Sequence, residues 1–268
     1  FDFKRERGRW SKYRDYPPAP APPKRVSDGR LRVTFINHAT TLIQMDGVNI
    51  LTDPLWSERA GPFSWLGERR SRPPLERLAT AHQPRIIAGL GNTALLNKKK
   101  IAGGEDVDWY DSFELKEGVR VTSVPVRHWS GRGPSDWAAT LWCGFVIQGP
   151  SGTVYFAGDT GYGRHFAEAK ERFGAPRLAI LPIGAYLPRW FMEPLHLSPA
   201  DAIKAHRDLG AETSVAIHFG TFDLADDGET QAADELRREL KSMSANAPRF
   251  LVLDFGEGYD APEANAGR

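Results

Sequence analysis

The chain has 268 residues, of which 41% are hydrophobic and 26% are charged, and its formal net charge is +1. This length can bury the core of one large domain or two small ones, and the balanced charge gives no sign of a nucleic-acid partner. The single Cys143 excludes an internal disulfide and a thiolate zinc cluster, and we expect it to be a buried, inert thiol in a strand. No apolar run is long enough to span a membrane.

Residues 1–30 differ in composition from the rest of the chain. They carry nine Lys or Arg residues against four acids, so they are +5 while the remainder is −4. Five prolines between Pro17 and Pro23 predict an extended linker. We therefore predict an arm over 1–30, either a solvated tail or a segment that contacts anionic lipid, and one domain over 31–268. Because the first residue is Phe1 rather than Met, we expect a trimmed or processed N-terminus, and an upstream signal or anchor stays open.

From residue 31 onwards, short β-rich segments come first and alternating helices and strands follow. The predicted strands are Leu31–Ile36, Thr41–Met45, Val48–Thr52, Arg85–Ala88, Val119–Val126, Thr140–Gln148, Thr153–Ala157, Leu178–Leu181, Ser214–Ile217 and Phe250–Asp254. The predicted helices are Arg164–Phe173, Ser198–Leu209 and Glu229–Lys241. The second has a capping box of Ser198 and Asp201 and a stop at Gly210. Mixed strands in two sheets with helices outside predict a four-layer αββα sandwich of the α/β (α+β) class.

Three residues of metal-ligand type follow predicted strands. They are His128, Asp159 and His218. Each is delivered by an apolar run to a strand end, where a sheet edge can bring them together. Two imidazoles and a carboxylate suit zinc or a similar divalent ion, so the sequence predicts a metal site.

Several motifs, in the same order along the chain, resemble one branch of the metallo-β-lactamase fold hydrolases, the one that contains N-acylphosphatidylethanolamine-hydrolysing phospholipase D and its bacterial relatives. The matching motifs are Phe35-Ile36-Asn37-His38-Ala39-Thr40, Leu51-Thr52-Asp53-Pro54, Ser57-Glu58-Arg59-Ala60, Arg127-His128-Trp129-Ser130, Ala157-Gly158-Asp159-Thr160-Gly161-Tyr162, Pro182-Ile183-Gly184-Ala185-Tyr186 and Ala216-Ile217-His218-Phe219-Gly220-Thr221-Phe222. They cover the chain from about Arg32 to its C-terminus.

The resemblance implies a zinc-dependent hydrolase of phosphodiesters, in which a metal-bound hydroxide attacks phosphorus. It implies two zinc ions, with His128 and His218 each on one ion and Asp159 bridging them. It also places His196 beside the metals near the scissile phosphodiester, so Asp159 and His196 are the expected catalytic residues. A phospholipid such as N-acylphosphatidylethanolamine is the implied substrate, and the oligomeric state is not indicated.

One part of the family pattern is absent from the sequence. The signature His-x-His-x-Asp-His, which follows a central strand and supplies most of the ligands, does not occur. It should fall between Arg72-Pro73-Pro74 and Leu75-Glu76-Arg77-Leu78. Either the polypeptide contains residues that this sequence lacks, or the deletion is genuine and the protein is a catalytically dead binding protein of the same fold. We favour the first, because loss of an interior strand would leave backbone groups unpaired and open the core.

Other residues are predicted to support the site. His38 and Asp53 are candidates for a second layer of residues that orients the ligands. The alternatives are a structural hydrogen bond in the core for His38, which we favour, and an Asx turn for Asp53. Contact with substrate or membrane is predicted for an apolar loop and its neighbours, Tyr186, Arg189, Trp190 and Phe191, and a packed lid is the equally favoured alternative for this loop. The remaining histidines, His82, His165 and His206, are predicted to lie on helix or loop surfaces.

A second function is suggested by the run Gly89-Leu90-Gly91-Asn92-Thr93-Ala94, which satisfies the G-x-G-x-x-A pattern of dinucleotide-binding proteins. Asp106 and Asp108 lie near the expected acidic position. The helix that follows must be short and no βαβαβ series follows it, so we do not favour this interpretation.

Overall fold

The computed structural model describes residues 7–11, 19–27, 29–54, 59–63, 66–69, 84–98, 100–131 and 136–263. His82, the junction between Pro74 and Leu75, and the first two residues of the Ser57–Ala60 motif lie outside these ranges. The described strands are β1 (Leu31–Asn37), β2 (Thr40–Met45), β3 (Val48–Leu51), β4 (Arg59–Phe63), β5 (Leu66–Arg69), β6 (Ile86–Gly89), β7 (Gly104–Val107), β8 (Ser112–Lys116), β9 (Val119–Val124), β10 (Gly144–Gly149), β11 (Gly152–Phe156), β12 (Leu178–Pro182), β13 (Thr213–Ile217), β14 (Phe250–Leu251) and β15 (Gly258–Ala261). The described α-helices are α1 (Asn92–Lys98), α2 (His165–Phe173), α3 (Arg189–Met192), α4 (Pro199–Leu209) and α5 (Gln231–Ser242).

The larger sheet has seven strands in the order β14-β13-β12-β11-β10-β9-β8, and a second sheet has four in the order β15-β1-β2-β3. Side chains alternate across the strands of the larger sheet. Leu178 and Ile180 of β12 join the core that it shares with β1 and β2, whereas Ala179 and Leu181 join the core beneath the helices. This alternation follows from the two-residue period of a strand that is buried on both faces. The two sheets therefore face each other, as the sequence predicted.

Helices α2, α4 and α5 cover the outer face of the larger sheet. They contribute Phe166, Ile203 and Leu236 to its helix-side core, each at most 2% exposed. Helix α4 begins with the predicted capping box, since the Ser198 hydroxyl accepts the Asp201 N–H and the Asp201 carboxylate accepts from Ser198 in return. It ends at Gly210, whose φ of 63° is left-handed. None of the described helices is both long and apolar enough to cross a bilayer.

In sequence, β3 and β6 flank the position at which the family motif is missing. Within the described residues β3 pairs only with β2, and β6 pairs only with β7, in a separate parallel two-stranded sheet. The apolar residues of β3 and the isoleucines of β6 are only half-buried. Among the described residues, the helix-covered sheet is therefore continuous and well buried, whereas β3 and the β6–β7 pair are separate from each other.

The N-terminal arm is not simply a solvated tail. Residues 7–11 follow the loop after β13, where Gly8 N–H donates to the Asp226 carbonyl at 2.7 Å and Glu229 N–H donates to the Arg9 carbonyl at 3.1 Å. Backbone pairing of this kind fixes the path of the segment. For these five residues the structure corrects the prediction of a solvated tail.

Candidate functional site

Three strand ends meet at one edge of the larger sheet. Strands β9 and β11 are both antiparallel to β10, so they run in the same direction, and β11, β12 and β13 are parallel to one another. His128 follows β9, Asp159 follows β11 and His218 follows β13 directly. Because the carboxyl ends of strands with a common direction lie at the same edge, the topology itself brings these residues together.

The side chains form one contiguous cluster with His196, which lies between α3 and α4. His218 Nε2 is 3.2 Å from Asp159 Oδ1, and His128 Nε2 is 3.4 Å from His196 Nε2. The rings of His196 and His218 are 5.2 Å apart between centroids. The structure thus gathers the three predicted ligands and the predicted catalytic histidine. Their roles as ligands remain a prediction.

The donor types and spacing of this cluster fit a divalent metal ion. Two ligands of one tetrahedral zinc are separated by about 3.3 Å, given zinc–nitrogen and zinc–oxygen distances near 2.1 Å. Both close pairs in the cluster have this separation. No group of three or more His, Cys, Asp or Glu within the described ranges is arranged to hold an ion. The residues therefore fit as part of a ligand set that needs further donors.

The tautomer of His128 and the protonation of His196 favour metal binding. His128 Nδ1 lies 2.6 Å from the Trp129 carbonyl oxygen, so Nδ1 carries the proton and Nε2 presents its lone pair to the cluster. Burial, followed by the positive charge of His218, lowers the pKa of His196 to about 3. The His196 imidazole is therefore neutral at neutral pH.

Asp159 and His218 lie within ion-pair distance of each other. Burial would raise the pKa of Asp159, but the nearby His218 outweighs it and holds that pKa well below its usual range. Burial opposes the charged form of His218, yet the Asp159 carboxylate raises the His218 pKa. The cluster accordingly contains one firmly ionised carboxylate, as a metal ligand must be.

Asp53 is a second carboxylate beside Asp159. It follows β3, and the residue as a whole is exposed although protein atoms surround its carboxylate. This burial, with the nearby charge of Asp159, raises the Asp53 pKa to about 7. Burial and Asp53 also raise the pKa of the half-buried Cys143 thiol to about 12, so the thiol stays protonated and inert. Cys143 precedes β10 rather than lying in a strand.

His38 lies against His218, with ring centroids 4.1 Å apart, and its carbonyl oxygen accepts the His218 N–H at 2.7 Å. His38 therefore contacts His218 through both its ring and its backbone, and its role in orienting a ligand stays a prediction. The backbone around the site is strained, because His38, Asp53, Ala185 and His218 all have positive φ, at 45°, 29°, 56° and 63°. Non-glycine residues adopt this conformation only where their surroundings enforce it.

The predicted contact residues divide into two groups. Tyr186 is only 3% exposed and belongs to the helix-side core, so it does not lie on a contact surface. Arg189 is bound within the protein through Asp201 at 2.7 Å and the His196 carbonyl at 3.3 Å. Trp190 and Phe191 are 74% and 57% exposed and remain candidates for contact with an apolar ligand.

The dinucleotide interpretation fails because Asp106 occupies the position of a phosphate. Its carboxylate accepts the N–H groups of Gly91 and Thr93, both at 2.9 Å, and the Thr93 hydroxyl at 2.7 Å. These are the donors at the start of α1 that a bound pyrophosphate would need. A negative ligand there would meet a fixed carboxylate instead.

Sequence reasoning missed two residues next to the cluster. Asp227 and Trp10 line a small cavity together with His38, His218 and Phe222. Asp227 lies in Asp226-Asp227-Gly228, a local pattern typical of a solvated turn. Its partners are backbone N–H groups some forty residues earlier in the chain, and no short-range pattern indicates them. His165 and His206 are also buried, at 9% and 7% exposure, contrary to the prediction of surface positions.

Comparison with known proteins identifies the fold and the relatives. A family model described as "Beta-lactamase superfamily domain" matches residues 92–219. The chain is 32% identical, over 279 residues, to "N-acyl-phosphatidylethanolamine-hydrolyzing phospholipase D 1" of Caenorhabditis elegans, covering 88% of this chain and 78% of that protein. Since 279 residues exceed the length of this chain, the worm protein contains residues with no counterpart here.

More distant matches agree. The chain is 28% identical over 246 residues to "UPF0173 metal-dependent hydrolase MK1542" of Methanopyrus kandleri, covering 86% of this chain and 100% of that one. The solved structure of Igni18, described as a metallo hydrolase from Ignicoccus hospitalis, superposes with a TM-score of 0.62 at 20% identity, covering 86% of this chain and 98% of that one. These matches confirm the predicted metallo-β-lactamase-like sandwich.

Proposed function

The chain belongs to the beta-lactamase superfamily of metal-dependent hydrolases, and on that premise we propose that it is a zinc-dependent phosphodiesterase acting on a phospholipid such as N-acylphosphatidylethanolamine. The observation that carries the proposal is the contiguous cluster of His128, Asp159, His196 and His218 at one sheet edge. The relative from C. elegans, named for this phospholipase D activity, supports the choice of substrate.

His128, Asp159 and His218 would hold the metal, with further ligands from the segment that the sequence lacks between Pro74 and Leu75. Zinc would supply an activated water and offset charge on the phosphate oxygens. Two other metals, iron and manganese, suit the same ligand types. Asp159, ionised through its histidine neighbours, would supply fixed negative charge to the centre.

His196 would contact the phosphate or the leaving group. It is neutral at neutral pH because its pKa is lowered to about 3, so its imidazole can donate one hydrogen bond without a charge. Arg189 holds the His196 backbone in position, because its guanidinium donates to the His196 carbonyl and pairs with Asp201 at the start of α4. The loop that carries His196 is thereby fixed against the sheet edge.

The exposed aromatic residues support a lipid substrate. Trp190 and Phe191 precede the His196 loop on α3, and Trp137, which is 66% exposed, stacks on Trp129 next to His128. Large apolar side chains on both sides of a polar cluster suit the boundary between lipid head groups and acyl chains. We propose that this surface faces the membrane and presents the phosphodiester to the cluster.

The proposal is tested by Asp159→Asn, with Asp234→Asn as the matched control because Asp234 only pairs with Arg237 on the exposed face of α5. We expect Asp159→Asn to lower zinc-dependent hydrolysis of bis(p-nitrophenyl) phosphate by at least about a hundredfold and the control to leave it unchanged. Retained activity in Asp159→Asn would contradict the assignment.

The lipid substrate is tested separately with the Trp190→Ser, Phe191→Ser double variant. We expect hydrolysis of N-acylphosphatidylethanolamine in vesicles to fall about tenfold and hydrolysis of the soluble diester to persist. Ile101→Ser serves as control, since Ile101 is 36% exposed and lies between α1 and β7, outside the His196 loop and α3. An equal loss on both substrates would contradict membrane contact.

The alternative is a binding protein that has lost catalysis. It is favoured by the lack of a three-ligand group among the described residues and by the gap between β3 and β6. Metal analysis separates the two, since a two-metal hydrolase holds about two zinc ions per chain and the alternative holds less than one. The intact mass of the purified protein then shows whether the ligand segment is present. A mass above 29.8 kDa, with extra peptides that map between Pro74 and Leu75, would mean that the missing ligands exist.

A further inference from the structure

Asp227 is a buried carboxylate that no step of the proposed chemistry uses. It is 6% exposed and lies in the loop after His218. Its carboxylate accepts three consecutive backbone N–H groups, from Ala185 and Tyr186 at 3.0 Å and from Leu187 at 3.3 Å. Three donors directed at one carboxylate make a specific and strong contact. Asp227 therefore fixes the turn that follows β12.

The turn fixed by Asp227 directly adjoins His218. Ile183 N–H donates to the Ile217 carbonyl, and Gly184 packs so closely against His218 that a methyl group at 184 would overlap the His218 carbonyl oxygen. Ala185 and His218 are both held at positive φ. A conformation of this kind persists only when contacts around it enforce it, and Asp227 supplies such contacts on the Ala185 side.

Asp227 is in turn held by the N-terminal segment, residues 7–11. The Trp10 indole N–H donates to the Asp227 carbonyl at 3.0 Å. Arg7 pairs with Asp223 at 2.9 Å, and the Ser11 backbone and hydroxyl donate to the Glu229 carboxylate at 3.0 Å and 2.6 Å. The segment thus contacts the loop before, at and after Asp227. Trp10 also forms one wall of the cavity that His38, His218 and Asp227 line.

We propose that Asp227 is a positioning residue that keeps His218 and the Ala185–Leu187 turn in the geometry of the site, and that residues 7–11 hold Asp227 in place. The N-terminal segment is then part of the site wall rather than a separate arm. The inference rests on the proposed function only for its catalytic readout, because the backbone contacts can be measured without substrate or metal.

The first experiment compares amide hydrogen exchange in the full chain for the wild type, Asp227→Asn and the control Asp234→Asn. The Asn side chain keeps the size of Asp but replaces one acceptor oxygen by a donor, which leaves a buried N–H of the turn unpaired. We expect exchange over residues 183–188 to rise about tenfold in Asp227→Asn and to stay at the wild-type rate in the control. Unchanged exchange in Asp227→Asn would overturn the proposal.

The second experiment measures kcat and KM with bis(p-nitrophenyl) phosphate and zinc. Displacement of His218 should lower kcat about tenfold while KM changes less than about twofold. A rise in KM with unchanged kcat, or no change in either constant, would overturn the positioning role. If the wild type shows no phosphodiesterase activity, the proposed function fails, and the exchange experiment still decides the positioning role.

The role of the N-terminal segment is tested by Trp10→Phe and Trp10→Ala. Phe keeps a ring in the cavity wall but removes the N–H donated to Asp227, whereas Ala removes both. We expect exchange over 223–229 and 183–188 to increase in the order wild type, Phe, Ala, with kcat decreasing in the same order. Wild-type exchange and kcat in Trp10→Ala would overturn the role of the segment.

Discussion

The two halves of the sandwich differ in completeness. On the helix-covered side seven strands form one uninterrupted sheet, and β12 is fully buried along its length. Within the described residues the facing sheet ends at β3, and β6 and β7 form a separate pair. The helix-covered sheet carries His128, Asp159 and His218. The three predicted ligands can therefore be held in place by one sheet, independently of the segment that would supply the remaining ones.

The largest expected effect contrasts the same substitution in the two halves. Ile180→Ala in β12 removes a side chain that is 0% exposed, so we expect a loss of about 4 kcal/mol in the free energy of unfolding. Ile87→Ala in β6, where the side chain is only half-buried, should cost about 1 kcal/mol. Urea denaturation measures both. A cost at Ile87 close to that at Ile180 would show that the second half is completed by residues outside this sequence.

A smaller effect is expected where the turn after β12 packs against His218. In Gly184→Ala the new methyl group meets the His218 backbone, and we expect a loss of about 3 kcal/mol. Gly174→Ala is the matched control, because no atom lies within 4 Å of a methyl group there and only the positive φ of 81° opposes it. The control should cost about 1 kcal/mol. Equal thermal stability of the two variants would contradict the tight packing at Gly184.

The smallest effect per residue concerns the acid stability of the helix-covered half. Burial lowers the pKa of both His165 and His206 to about 4 from an ordinary 6.5. Between these values the unfolded chain binds more protons than the folded one, so stability is complete above about pH 6.5 and is lost as the pH falls towards 4. We expect a loss of about 2 kcal/mol from each of the two histidines by pH 5.

The measurement is urea denaturation at pH 7.5 and pH 5, for the wild type and for the His165→Gln, His206→Gln double variant. The variant should be less stable at both pH values, because His206 Nδ1 lies 2.7 Å from the Ser214 hydroxyl and that contact is lost. Its stability should nevertheless change less between the two pH values. An unchanged difference would assign the acid sensitivity to carboxylates instead.

Local patterns predicted most of the fold. The strands from Leu31 to Leu51, the strands of the larger sheet except β8 and the capping box of α4 follow from alternation, turn residues and caps in the sequence. Strands β4, β5 and β8 were not predicted. Strands β7 and β15 were also missed, since Gly104–Val107 and Gly258–Ala261 have little strand character of their own. They form because distant partners pair with them, β6 in one case and β1 in the other, and no local pattern carries that information.

The site was predictable to the extent that strand direction determines it. His128, Asp159 and His218 could be grouped from their positions after strands, and the shared edge explains why they meet. Tyr186, Asp227 and the histidines His165 and His206 could not be placed, because their environments depend on which helices and loops cover them. Burial is a property of the packed layers, and a polar residue in a turn sequence gives no sign of it.

The left-handed residues at the site have a consequence for directed evolution. At His38, Asp53, Ala185 and His218 a glycine would relieve backbone strain of about 1 kcal/mol at each position. At the exposed Asp53, selection for heat resistance alone should therefore enrich glycine, whereas at the buried His38 and His218 the cavity left by the imidazole costs more than the strain relieved. Selection that also requires activity should reject glycine at every position whose side chain the chemistry uses. A deep mutational library can be screened once for heat resistance and once for heat resistance with activity. The positions at which glycine is accepted only in the first screen are those whose side chains the protein keeps for its chemistry.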